Sequence, residues 1–312
     1  MIISASRRTD IPAFYSEWFM NRIREGFVYV RNPMNYNQIS NIKLNSDVVD
    51  CIVFWTKDPK NIIKYLDELD ERGYKYYFQI TINPYDSFVE KSLRDKERII
   101  DDFIQLSEKI GKNKVIWRYD PILLSNTYNE EFHYKKFEYL SNRLGLYTNK
   151  CIFSFIDLYQ KTKRNIRELN IIKLNNEIML RIAKTLSEII ESYSFDLYTC
   201  SEEIDLDIYG IKHGKCIDDE LISEIVGEKL EINKDKNQRL SCGCVSSIDI
   251  GAYNTCLHNC IYCYANLNQK TVNNNIKQHN NKSPLIKGKI NGSEKIYIRK
   301  MESYREKQLK LL

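Results

Sequence analysis

Nine cysteines are spread along the 312-residue chain, and three of them fall together in Cys256-Leu-His-Asn-Cys260-Ile-Tyr-Cys263. Sulfurs separated by three and then two residues can wrap around three corners of one iron–sulfur cube and leave its fourth iron bare. A structural zinc site is usually closed by four ligands from paired knuckles, whereas this loop supplies three thiols and no fourth. The chemistry expected of it is that of a [4Fe-4S] cluster with an open coordination position.

The remaining cysteines divide by context. Cys51 and Cys151 sit within apolar, strand-like runs and read as small core residues. Cys200, Cys216, Cys242 and Cys244 lie in polar, turn-prone segments, and Gly243 lets the last two turn toward one point. Those four are candidate ligands of a second iron–sulfur cluster or of one zinc ion, with unligated thiols as the plain alternative. His213 and His258 are possible substitutes, although a lone histidine more often serves a hydrogen bond than a metal.

Such a loop needs a scaffold, and the rest of the chain has the pattern of one. Short apolar runs at Met1–Ser6, Cys51–Thr56, Tyr76–Ile82, Lys114–Arg118, Lys150–Asp157, Phe195–Cys200 and Val245–Ile250 read as strands. Between them, Pro59–Arg72, Lys96–Ile110, Glu130–Leu144 and Leu174–Ser192 have helical periodicity. Alternating strands and helices imply an α/β fold with a parallel sheet, and a full or partial (β/α) barrel suits the seven repeats better than an open nucleotide-binding sheet. The polar stretch from Gln269 reads as a connector. The basic end, Glu294 to Leu312, reads as a helical strap or lid, giving a barrel over residues 1–268 and an appendage over 269–312.

Polar residues gather where strands give way to helices: Arg7, Arg8, Thr9 and Asp10; Lys57 and Asp58; Thr81 and Asn83; Arg118 and Asp120; Ser154, Asp157 and Tyr159; Cys200, Ser201 and Glu202. Strand ends of a barrel converge on one mouth, where active sites are built. Helix capping accounts for Thr9, Asp58 and Ser201. It does not account for Arg7, Arg8, Lys57 and Arg118, whose charge opposes the helix dipole. Arg8 and Arg118 are expected to bind a carboxylate or phosphate.

The CxxxCxxC spacing with the aromatic Tyr262 before the last cysteine resembles the signature of the radical S-adenosylmethionine superfamily. The Ser-Arg-Arg-Thr-Asp-Ile-Pro run from Ser6, Phe-Trp-Thr-Lys-Asp-Pro from Phe54, Trp-Arg-Tyr-Asp-Pro from Trp117 and Asp-Ile-Gly-Ala-Tyr-Asn-Thr-Cys from Asp249 resemble an uncharacterised bacterial domain-of-unknown-function family over nearly the whole chain. The superfamily resemblance implies that Cys256, Cys260 and Cys263 hold the cluster and that S-adenosylmethionine binds beside it. Tyr262 would present its backbone to the adenine, with Arg8, Lys57, Arg118 and Asp120 around the cofactor. It also implies a radical SAM barrel that is circularly permuted, because the cluster loop, ordinarily after the first strand, here follows Val245–Ile250. Tyr159, Tyr253 and Cys200 are candidate hydrogen-atom donors late in turnover. The partners implied are an electron donor such as flavodoxin or ferredoxin, and a substrate that is a small molecule or, given a Tyr-Cys-Tyr run at 262–264 like that of spore photoproduct lyase, a nucleic acid.

Composition sets outer bounds. A chain that is 43% hydrophobic and 29% charged, with a formal charge of +5, has the make-up of an ordinary soluble protein. It has no uninterrupted apolar run of membrane-spanning length, and Met1-Ile-Ile-Ser-Ala-Ser-Arg-Arg does not have the form of a signal peptide. A cytoplasmic location is expected, where thiols stay reduced and serve metal or redox chemistry. Two other readings are a non-catalytic iron–sulfur electron carrier or redox sensor and a zinc-stabilised nucleic-acid-binding protein.

Overall fold

A computed structural model describes residues 1–157 and 160–305. Its strands are β1 (Ile2–Ala5), β2 (Phe27–Arg31), β3 (Gln38–Lys43), β4 (Cys51–Thr56), β5 (Tyr76–Thr81), β6 (Val115–Ile122), β7 (Lys150–Phe155), β8 (Asp196–Thr199), β9 (Lys212–His213), β10 (Ile248–Asp249) and β11 (Lys295–Ile298). Eight of them form one parallel sheet in the order β10-β1-β4-β5-β6-β7-β8-β9. The late strand β10 therefore lies beside the first, with Ile3 opposite Ile248 and Ser4 opposite Asp249.

Side chains alternate between two cores, as strand geometry requires. One set, including Ile3, Phe54, Phe78, Trp117 and Phe153, packs with Phe103, Phe137, Ile182 and Leu186 of the helices. The other set, Ile2, Val53, Tyr77, Ile116 and Ile152, meets Ile217 and Val245 in a separate cluster. These inner side chains of five strands thus share one cluster with the segments after β9 and before β10. Tyr77 Oη and Gln79 Nε2 of β5 both donate to the Cys216 carbonyl, at 2.6 and 3.1 Å, and Val245 N donates to Ile217 O at 3.1 Å. No ladder joins β9 to β10 among the described residues, and the Val245–Ile217 bond links the segment after β9 to the one before β10.

The helices Lys96–Ile110 and Glu130–Leu144 coincide with their sequence periodicity, each opened by a capping side chain, Asp95 and Asn129. Three features differ from expectation. Residues 27–43 form the hairpin β2–β3, in which Ile39 and Ile42 are the buried positions of β3. Their three-residue spacing carries no two-residue strand signal. The polar stretch after Asn268 is a helix, Gln269–Ile276, capped by the Asn268 side chain. The segment read as a terminal helix contains strand β11, parallel to β3, while residues 306–312 lie outside the described part. The tail runs along the outside of the sheet, with Trp18 Nε1 donating to Ser283 O at 2.9 Å and Tyr304 N to Asp50 at 2.8 Å. Asp50 also pairs with the Met1 amino group, so this part of the tail lies at the amino end of β1, away from the strand carboxyl ends. No described helix is long and apolar enough to cross a membrane.

One buried group makes the packing pH-sensitive. His133, fully enclosed, sits between Tyr119 Oη at 2.8 Å and Leu123 O at 2.9 Å. Donation from Nε2 to the carbonyl leaves Nδ1 to accept from the tyrosine, which is the neutral ring. Burial lowers its pKa from 6.5 to about 4. The unfolded chain thus binds the extra proton first, and stability present above pH 6.5 is lost as pH falls toward 4. The difference amounts to about 3 kcal/mol. Denaturant titrations across that window should show this loss in the wild type and its absence in His133→Gln.

Candidate functional site

The carboxyl ends of β1, β4, β5, β6, β7 and β8 surround a cavity of about 480 Å³, closed on one side by the Cys256–Ala265 segment and on another by Cys216, Cys242 and Cys244. Arg8, Lys57, Arg118, Asp120, Tyr262 and all seven candidate metal-binding cysteines line it. Tyr253 is not among the lining residues; its ring lies 5.2 Å from the Arg8 guanidinium. Tyr159 lies outside the described residues.

Several elements pin the three-cysteine loop. Asn254 and Asn259 take left-handed backbone angles, φ 60° and 54°, which asparagine tolerates better than most residues. Tyr15 Oη donates to Thr255 O at 2.7 Å, Asn266 Nδ2 to Cys256 O at 2.8 Å, and Ser92 N to His258 O at 3.0 Å. Ile261 N donates to Val89 O at 3.0 Å. His258 Nε2 meets Asp10 Oδ2 at 2.7 Å, and the same oxygen accepts Lys57 N at 2.7 Å. The histidine inside the motif is thereby tied to the turn after β1, while its Nδ1 is buried without a partner.

Burial drives the Cys256 and Cys260 thiols up, Asp10 adds to the effect on Cys256, and each also feels its neighbouring thiols. Ionising adjacent buried thiols is unfavourable unless a metal supplies positive charge, which reverses the sign of this balance. Three thiols of one loop line the same cavity, which is the donor chemistry a thiolate-held cluster uses. Among the described residues, no three His, Cys, Asp or Glu side chains surround a common point as ligands of one ion.

The charged ring is more internally neutralised than the sequence suggests. Arg118, alternating with Tyr119 and Asp120 along β6, projects on the same face as Asp120 and donates to its Oδ2 through Nε at 3.1 Å and Nη2 at 2.5 Å. Asp120 also accepts from Ser154. Lys57 Nζ donates to Glu90 Oε1 at 2.8 Å. Arg8 Nε lies 3.8 Å from Asp249. Neither Arg118 nor Lys57 is the open anion receptor that the turn positions alone suggest.

Glu90 was not legible as a site residue, since it lies in the loop beyond β5. It is 2% exposed and accepts from Tyr262 Oη at 2.5 Å on the oxygen that meets Lys57, while Lys96 Nζ lies 2.7 Å from its other oxygen. Burial alone would raise its pKa, but the two ammonium groups overcome that and hold it near 2. Asp249 was missed as a site residue too. It accepts from Ser6 Oγ at 2.7 Å, Gly251 N at 3.0 Å and Arg7 N at 2.9 Å, joining β10 to the turn after β1. Glu202 accepts from Phe155 N at 2.8 Å, and burial, with Asp157 and Asp120 nearby, pushes it up to about 7.

Cys200, Cys216, Cys242 and Cys244 are brought together, all as free thiols. Cys200 Sγ lies 3.0 Å from Cys216 Sγ, and Arg118 Nη1 donates to Cys216 Sγ at 2.9 Å. Cys51 and Cys151 are fully buried in the core, as expected. His213 is exposed in β9 and meets Thr199 Oγ1 at 3.1 Å.

No curated protein matches the chain. A solved structure described as a "putative alpha-L-fucosidase from Bacteroides thetaiotaomicron" aligns over 51% of this chain and 66% of that one, at 11% identity and a TM-score of 0.23. So low a score carries no argument about fold or activity. Residues 2–265, which contain every strand that borders the cavity and both sets of cysteines, match the family model described as "Domain of unknown function (DUF1848)", and the chain belongs to that family.

Proposed function

We propose that this protein is a radical S-adenosylmethionine enzyme built on a circularly permuted (β/α) barrel, with a [4Fe-4S] cluster on Cys256, Cys260 and Cys263. The observation that carries the reading is the pairing of β10 with β1. It sets the three-thiol loop, which follows β10, against the mouth formed by the strand ends. When bound, the cluster and S-adenosylmethionine supply reductive cleavage of the sulfonium and a 5′-deoxyadenosyl radical.

The chain's own residues bind, orient and enclose. Glu90 and Asn83 hold Tyr262 Oη at 2.5 and 3.1 Å, fixing the segment between the last two cysteines. Asp10 and the backbone of Ser92 hold His258 between the first two. Asp249 holds the backbone of Arg7 at the turn that faces the loop.

A volume of about 480 Å³ falls within the range of small-molecule sites, which favours a small substrate over a duplex. A pure electron carrier or sensor needs no such cavity. Electrons would come from a low-potential carrier of the flavodoxin or ferredoxin kind.

Anaerobic loading with iron and sulfide tests the cluster assignment. Wild type should take up about four irons at this loop, with a paramagnetic signal on reduction that changes when S-adenosylmethionine is added. Cys256→Ala/Cys260→Ala/Cys263→Ala should lose both. Equal loading in that variant would refute the assignment.

A further inference from the structure

Cys200, Cys216, Cys242 and Cys244 line one cavity together. Cys200 Sγ lies 3.0 Å from Cys216 Sγ, and Cys216, Cys242 and Cys244 are buried in one cluster. The peptide N–H groups of Cys216 and Ile217 both donate to Cys244 Sγ, at 3.3 and 3.4 Å. Two backbone donors converging on one sulfur suit a thiolate better than a neutral thiol.

The surrounding charge points the same way. Arg118 donates to Cys216 Sγ at 2.9 Å and shares one carboxylate, Asp120. Arg7 stacks 5.1 Å from the Trp55 ring, has no carboxylate within ion-pair distance among the described residues, and lines the cavity together with Cys216 and Cys244. Neutral thiols would leave Arg7, unlike Arg118 with its Asp120 partner, without a counter-charge at ion-pair distance. Four thiolates around a divalent ion carry two negative charges.

We infer that Cys200, Cys216, Cys242 and Cys244 form a second, closed metal site that binds one zinc ion and fastens the seam between β9 and β10. Zinc–thiolate bonds of about 2.3 Å put neighbouring sulfurs about 3.8 Å apart, so Cys200 and Cys216, now 3.0 Å apart, would part slightly to hold one ion. Among the described residues the thiols do not form a shell around one point, but each turns about one side-chain torsion, so an ion can gather them without moving the backbone far. The seam role follows from the backbone: Val245 N donates to Ile217 O at 3.1 Å, directly beside Cys244 and Cys216. The site stands whether or not the Cys256 loop holds iron.

The test uses the full chain carrying Cys256→Ala/Cys260→Ala/Cys263→Ala, so that the other thiols cannot contribute. Supplied with zinc and dialysed against metal-free buffer, it should retain about one zinc per chain. Cobalt in place of zinc should give thiolate-to-metal charge-transfer and tetrahedral ligand-field bands. Adding Cys242→Ser/Cys244→Ser should abolish both signals. Should that variant fail to fold, Cys200→Ser, the half-exposed one of the four, should weaken cobalt binding. Arg7→Gln should weaken zinc binding roughly tenfold, as loss of a supporting group around a metal site does. No retained zinc and no cobalt bands would overturn the inference, as would stoichiometric iron and sulfide on these four cysteines.

Discussion

Glu90→Ala should lower the unfolding free energy by about 3–5 kcal/mol, the cost of leaving buried charges without their counter-ion. The carboxylate is nearly inaccessible and is the shared partner of Lys57 and Lys96, whose ammonium groups lie 2.8 and 2.7 Å from its oxygens. Lys57 has its charge buried in the site, and Glu90 is its one ion-pair partner among the described residues. The mutation also releases Tyr262 Oη and loosens the antiparallel bridge between residue 90 and Cys260. Urea denaturation reads the loss directly. Combining Glu90→Ala with Lys57→Met should recover part of it, because the orphaned charge is then gone. A loss under about 1 kcal/mol, the scale of an exposed ion pair, would show that the cluster is solvated and does not anchor the loop.

Gly251→Ala should destabilise by about 3 kcal/mol, the upper end of the overpacking range. A β-carbon there would collide with Ser6 Oγ and stand 2.6 Å from Ser6 Cβ and 2.9 Å from Thr9 Oγ1. Ser6 cannot simply swing aside without giving up its 2.7 Å hydrogen bond to Asp249, and Thr9 Oγ1 is held to Ala252 O at 2.8 Å. The clash therefore falls on the β1–β10 seam, five residues before Cys256. Thermal denaturation should show the loss of stability, and iron uptake by the Cys256 loop should fall with it. An alanine variant of wild-type stability would mean that the turn after β1 is free to withdraw.

The parts legible in the sequence were those written in local periodicity. The strand Cys51–Thr56 is a continuous apolar run, and the helices Lys96–Ile110 and Glu130–Leu144 carry both a cap and an apolar stripe. The convergence of the strand-end residues with the cysteines on one cavity follows from a parallel sheet, and seven of the nine cysteines line it. What local pattern could not supply was pairing across distance. His258 and Asp10 are 248 positions apart, and Glu90 and Tyr262 are 172 apart. A carboxylate in a loop has no periodicity to mark it as a buried anchor. Strand β11 pairs with β3 through the tail, and its exposed side chains give no amphipathic signal. The Arg118–Asp120 pair is different: two-residue spacing on a strand places both on one face, so that neutralisation was readable in Trp-Arg-Tyr-Asp-Pro.

The central claim is that the Cys256 loop supports cleavage of S-adenosylmethionine. The direct measurement is 5′-deoxyadenosine formed by anaerobically loaded, dithionite-reduced protein incubated with S-adenosylmethionine, beside the same protein carrying Cys256→Ala/Cys260→Ala/Cys263→Ala. The first should form 5′-deoxyadenosine and the second none. A loaded, reducible cluster that yields none, or equal yields from both proteins, would contradict it.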